Sequence, residues 1–126
     1  MNGRNYLLDT NAIIALLQGN NDLLNLLKNA DWIAISVISL IEFLAFPNLS
    51  DKDREYFDQF SKRVELVNLS SNETELIDLI IDLRKKYKIK LPDAIIAGSA
   101  IHNKASLITK DKQLKIITQL TLIEFN

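Results

Sequence analysis

Tyr6-Leu7-Leu8-Asp9-Thr10-Asn11-Ala12-Ile13-Ile14 is the stretch on which the fold turns. Three apolar residues end in an acid, and Thr10-Asn11 then opens a segment in which Ile13, Ile14, Leu16 and Leu17 recur at helical spacing, so the stretch reads as strand, turn, helix. Downstream of it the alternation continues. Gly19-Asn20-Asn21 breaks the chain before a short helix carrying Leu23, Leu24, Leu26 and Leu27, and Trp32-Ile33-Ala34-Ile35 is the next strand. Ser36 is placed to cap a helix running through Phe46, which Pro47 ends because proline disfavours helical geometry in the residue before it. Ser50, with Asp53 three residues on, starts an amphipathic helix bearing Tyr56, Phe57 and Phe60, and Val64 to Leu69 forms a third strand. Ser70 and Ser71 start the longest helix, with Leu76, Ile80, Leu83 and Tyr87 on one face. Leu91-Pro92-Asp93 restarts a helix, proline suiting its first turn, and Ser106 to Thr109 and Thr121 to Phe125 supply the last two strands. Strands alternating with helices predict an α/β fold, a mainly parallel five-stranded sheet flanked by helices on both faces.

The 126 residues suit one domain, expected to span 1–126 with no linker or repeat. The chain has no cysteine, which excludes disulfides and thiolate metal sites. Its N-terminus, Met1-Asn2-Gly3-Arg4-Asn5, lacks the pattern of a signal peptide, and the longest apolar stretch, Val37 to Phe46, is broken by Ser39 and Glu42 and falls far short of the ~20 residues of a bilayer span. No membrane segment is expected, and the cytosol is the expected compartment. Charge is unevenly distributed: residues 1–83 hold 6 Lys/Arg against 13 Asp/Glu, whereas residues 84–115 hold 9 against 2. An acidic part beside a basic segment is what a metal site next to a phosphate-contacting strip would give.

Ligand crevices of open α/β sheets lie outside the carboxyl ends of the strands, where Asp9 ends the first strand and Asp111 follows the fourth. Each acid is also a favoured helix N-cap, so capping stands as the alternative for both. Glu42 is surrounded by Val37, Ile38, Leu40, Ile41, Phe43, Leu44 and Phe46, with no solvent face evident, and a carboxylate buried there calls for a compensating cation. The alternative for it is a capping box from Ser39 to Glu42. Asp93 lies in a first helical turn, where the macrodipole favours negative charge. Carboxylates sharing one crevice repel one another, and hard divalent cations, Mg²⁺ or Mn²⁺, relieve that repulsion. Such an ion in such a crevice suits phosphodiester hydrolysis.

Four segments in order, Leu7-Leu8-Asp9-Thr10-Asn11-Ala12-Ile13-Ile14, Ser39-Leu40-Ile41-Glu42, Leu91-Pro92-Asp93-Ala94-Ile95-Ile96-Ala97 and Leu107-Ile108-Thr109-Lys110-Asp111, resemble the motif set of PIN domains. The chain is similar in particular to VapC-type toxins of toxin–antitoxin pairs, over nearly its whole length. The resemblance implies a Mg²⁺- or Mn²⁺-dependent endoribonuclease acting on RNA, a five-stranded parallel sheet, a homodimer and inhibition by a small antitoxin protein. It assigns Asp9, Glu42, Asp93 and Asp111 as the catalytic, metal-holding acids, with Asn11 and Thr109 as polar support. The last motif departs from the family pattern, with Lys110 in a polar slot and Leu114 in an aromatic one.

Lys110, Lys112 and Lys115 beside Asp111 are the candidate RNA-phosphate contacts, while the run Arg84-Lys85-Lys86-Tyr87-Lys88-Ile89-Lys90 is read as cations complementing a helix C-terminus. The lone histidine, His102, and the lone tryptophan, Trp32, are read as structural. Two rivals remain in other classes. One is a catalytically inactive PIN-like module that binds RNA or protein. The other is a phosphoryl-transfer enzyme with Asp9 as nucleophile, although phosphatases of the haloacid-dehalogenase type place a second Asp two residues on, where this chain has Asn11.

Overall fold

The computed structural model describes residues 3–125; Met1 and Asn2, part of the run read for a leader, and Asn126 lie outside the described residues. The chain order is β1 (Asn5–Leu8), α1 (Thr10–Leu17), α2 (Asn21–Leu27), β2 (Trp32–Ser36), α3 (Val37–Leu44), α4 (Asp51–Ser61), β3 (Glu65–Val67), α5 (Thr74–Tyr87), α6 (Leu91–His102), β4 (Ser106–Ile108), a 3₁₀ turn (Lys112–Ile116) and β5 (Leu122–Ile123). The strands form one five-stranded sheet in the order β3-β2-β1-β4-β5, and every pairing in it is parallel.

Side chains of a strand alternate between faces, and here both faces are covered. Tyr6, Leu8, Ile35 and Ile108 point to one side, where they pack with Ala12, Ile13, Leu23, Phe43 and Phe57 from α1 to α4. Leu7, Ala34 and Leu107 point to the other, against Leu83 of α5, Ile96, Ala97 and Ala100 of α6, and Leu114 of the 3₁₀ turn. The small residues of α6 let α5 come close: a Cβ on Gly98 would stand 2.9 Å from Ile80 Cγ1. Register then sets the site. Leu8 pairs with Ile108, and the Asp9 N–H donates to the Ile108 carbonyl at 3.0 Å, so Asp9 and Thr109 leave neighbouring strands side by side.

Several boundaries differ from the sequence reading. β3 and β5 are shorter than expected, three and two residues, because each is a sheet edge paired on one side only. α3 ends at Leu44, two residues before Phe46. α5 starts at Thr74 because the Ser70 hydroxyl accepts the Asn72 N–H and closes a local turn instead of capping a helix. Among the described residues no helix is long and apolar enough to cross a membrane.

Candidate active site

Asp9 follows the last residue of β1 and caps α1, its Oδ1 accepting the Thr10 N–H at 2.8 Å. The capping alternative is thus part of its role, yet capping uses only one oxygen. Oδ2 accepts from the Thr109 hydroxyl at 2.8 Å and from Asn11 Nδ2 at 3.4 Å. The Thr109 Oγ1, fully buried, also accepts from the Asp111 N–H at 3.0 Å and from Asn11 Nδ2 at 3.3 Å. Asn11 completes the link through Oδ1, which accepts the Lys110 N–H at 3.0 Å. One donor and two acceptors use the full capacity of the Thr109 hydroxyl, so Asp9 is fixed in orientation by the residues that follow β1 and β4.

Asp111 caps the 3₁₀ turn, with Oδ1 accepting the Gln113 N–H at 3.0 Å. Asp93 sits at the third position of α6, after Leu91 and Pro92. Glu42 reaches Thr10, whose hydroxyl donates to Oε1 at 2.9 Å, a contact the sequence reading did not foresee. The expectation that Glu42 lacks a solvent face is corrected by the structure. Only Ser39 and Phe43 of α3 are buried, and Ile41, Glu42 and Leu44 lie on its exposed side, Ile41 at 59%. Apolar residues around a helix therefore mark here an apolar surface, not a core. The capping box is also absent: Ser36 caps α3 by accepting the Ile38 N–H at 3.1 Å, and the buried Ser39 hydroxyl has no hydrogen-bond partner among the described residues.

Burial pushes the Asp9 carboxyl above its ordinary value; the Thr109 hydroxyl and Thr10 N–H oppose the rise, and the charges of Glu42 and Asp111 add to it. Asp93 is raised as well, by burial first, then by Asp111, Asp9 and Glu42, with Lys90 opposing. The four carboxylates thus share one field, and among the described residues none of them forms an ion pair. Hard oxygen donors in mutual repulsion suit a divalent cation. They do not form a closed cage: among the described residues no three acidic or histidine side chains are grouped to hold a metal as they stand. The oxygens available to one are those of Asp9, Glu42, Asp93 and Asp111.

The lysines fall out differently from the sequence reading. Lys110 Nζ lies 5.2 Å from the centre of the Phe125 ring and Lys115 is paired with Glu124, while Lys112 acts on Glu124 without forming an ion pair among the described residues. Lys90, by contrast, acts on Asp93, and Lys88 and Lys90 share a cleft with Asp93 and Asp111. The basic run 84–90 held that signal. His102 lies exposed in the last turn of α6, nine residues and so roughly 13 Å of helix from Asp93. Trp32 starts β2 and packs, half-buried, against the core beneath α6.

The family described as PIN domain matches residues 6–120. Among solved structures, VapBC2 from Rickettsia felis bound to a DNA fragment from their promoter is similar at 28% identity and a TM-score of 0.80, over 96% of this chain and 98% of that one. A toxin-antitoxin complex from Klebsiella pneumoniae is similar at 27% identity and a TM-score of 0.76, over 94% and 95%. VapBC-1 from nontypeable Haemophilus influenzae, at 22% identity and a TM-score of 0.78 over 94% and 96%, shares the fold. No curated protein sequence matches the chain.

Proposed function

The chain belongs to the PIN-domain family, and on that premise we propose that it is a Mg²⁺- or Mn²⁺-dependent endoribonuclease, a single PIN domain serving as the VapC-type toxin of a toxin–antitoxin pair. The observation that carries the reading is the grouping of the acids near the carboxyl ends of β1 and β4: Thr109 joins Asp9 to the Asp111 backbone, Thr10 beside Asp9 bonds Glu42, Asp93 shares a cleft with Asp111, and among the described residues none of the four forms an ion pair. This is where the strand order reverses, since the chain leaves β1 toward β2 and later returns on its other side as β4. Asp9, Glu42, Asp93 and Asp111 would hold the cation, which when bound supplies an acidified water and charge neutralisation for phosphodiester hydrolysis. Thr109 and Asn11 hold the Asp9 carboxylate in one orientation, and Thr10 does the same for Glu42. Apolar residues of β1, β4 and α6 behind them limit water on the core side.

The antitoxin partner is supported by the likeness to toxin-antitoxin complexes over nearly the whole chain. A protein partner also has a surface to bury, since Ile41, Leu44 and Phe46 are exposed on and just beyond the helix that carries Glu42. A homodimer and a cytosolic location complete the reading.

Defined RNAs incubated with the purified protein, with Mg²⁺ or with chelator, test it, with a small phosphate ester assayed in parallel. The expected result is cation-dependent RNA cleavage without ester turnover. Ester turnover without RNA cleavage would support Asp9 as a phosphoryl-transfer nucleophile, and RNA binding without cleavage an inactive binding module.

A further inference from the structure

The cations ending α5 complement its dipole, but at the residue just after it the chain does something more specific. Lys88 adopts the left-handed conformation, φ 55° and ψ 34°, which a residue bearing a Cβ rarely takes outside helix ends. The turn redirects the chain, so that Lys88 and Lys90 line a cleft of about 510 Å³ together with Tyr87, Asp93, Asp111 and Gln113. One wall is the α5–α6 connection and the other the 3₁₀ turn. The cleft therefore includes two of the four acids and continues away from them. The Tyr87 phenol oxygen accepts the Thr118 N–H at 3.4 Å and lies 3.4 Å from the Thr118 hydroxyl, just past the 3₁₀ turn, and Lys86 Nζ lies 5.3 Å from the centre of the Tyr87 ring, so a base stacking there takes the place of that cation. Among the described residues neither Lys88 nor Lys90 forms an ion pair, unlike Lys115.

A cleft of this volume is in the range that takes a small ligand, and its chemistry is that of a single-stranded nucleic-acid groove. Lysines act as point charges for phosphate, an aromatic ring gives a sequence-tolerant platform for a base, and an amide offers both a donor and an acceptor. Resting on the ribonuclease reading, we propose that this cleft is the subsite for a nucleotide of single-stranded RNA flanking the scissile phosphodiester, with its phosphate on Lys88 and Lys90 and its base against Tyr87, in reach of Gln113. An acidic peptide fits less well. It would set further carboxylates beside Asp93 and Asp111 and leave Tyr87 nothing to stack on.

Binding of a fluorescent ten-nucleotide single-stranded RNA to the Asp9→Asn chain in Mg²⁺, followed by anisotropy over a range of salt, tests the subsite. Adding Lys88→Gln and Lys90→Gln lowers the slope of log K against log salt by about 0.7, the one phosphate that the two lysines share. The matched substitution Lys28→Gln, at the end of α2, leaves the slope as it was. Tyr87→Leu lowers affinity about tenfold with the slope unchanged. An unchanged slope in the double variant, or unchanged affinity in Tyr87→Leu, overturns the subsite while wild-type cleavage of RNA keeps the ribonuclease reading. Polyglutamate binding as tightly as RNA, and losing the same slope, also overturns it in favour of an acidic-peptide site. A wild type that neither cleaves nor binds RNA removes both readings.

Discussion

Replacing Thr109 by valine keeps the volume and branching of a fully buried side chain and removes the one oxygen that joins Asp9, Asn11 and Asp111. The bond to the Asp9 carboxylate is charge-assisted and short, 2.8 Å, and such bonds contribute about 1.5–3 kcal/mol. The Asp111 N–H and the Asn11 amide each lose an acceptor, but both groups are partly exposed and water replaces part of that bond. The total is about 3 kcal/mol, less than the sum of three separate bonds because they share one atom. In urea, at a slope of about 2 kcal/mol per molar, the unfolding midpoint of Thr109→Val falls by about 1.5 M at pH 7 in chelator. Thr109→Ser retains the hydroxyl and loses much less. The pH dependence has a definite sign. Asp9 titrates above its ordinary 3.8 in the folded chain, so its contribution to stability is fully present below 3.8 and is lost as pH rises through the raised value. Removing a hydrogen bond that opposes the rise lifts the folded value further. The deficit of the valine variant is therefore largest at neutral pH and shrinks as pH falls toward 3.8. A midpoint within about 0.3 M of wild type at pH 7 would refute the reasoning.

Glu42 is exposed and bonded to Thr10, so Glu42→Gln without metal melts within about 0.5 kcal/mol of wild type, yet gains less than the ~2.7 kcal/mol that a free ion at a hundredfold its Kd gives the wild type; equal gains in thermal melts would remove Glu42 from the site. Gly98→Ala sets a Cβ 2.9 Å from Ile80 Cγ1, and crowding of about 1–3 kcal/mol outweighs a helix-propensity gain of about 1 kcal/mol. The variant melts a few degrees lower, and a higher melting temperature would show that α5 yields. Lys112→Ala lowers the salt slope of single-stranded RNA binding by roughly 0.7, whereas Lys110→Ala and Lys115→Ala, whose side chains meet Phe125 and Glu124, barely change it; three equal losses would contradict this.

What the sequence made legible followed from local rules. β1, β2 and β4 stood out because strands paired on both sides are bounded apolar runs, and α6 because its small residues follow Leu91-Pro92. The ordering of Asp9, Asp93 and Asp111 followed from strand ends and a helix start. The sequence argument for Glu42 rests on a burial that the structure corrects, since periodicity shows that α3 is apolar all round but not which side a neighbour covers. The ends of β3 and β5 depend on pairing across the sheet, which no local window contains. Ser70 reads as a helix start because a serine that closes a turn on Asn72 has the same sequence signature. Lys88 and Lys90 are hidden by a left-handed turn at a residue that is not glycine, and the Thr10 contact with Glu42 by a separation of 32 positions.

The central claim is that the carboxylates around Asp9 cleave RNA through a divalent cation. Its most direct test is the cleavage rate of one defined RNA by wild type and Asp9→Asn, each in Mg²⁺, in Mn²⁺ and in chelator, with melting temperatures recorded on the same samples. Wild type is expected to cleave with either ion and not in chelator, and a folded Asp9→Asn chain is expected not to cleave under any condition. Cleavage by Asp9→Asn at the wild-type rate, or undiminished wild-type cleavage in chelator, would contradict the claim.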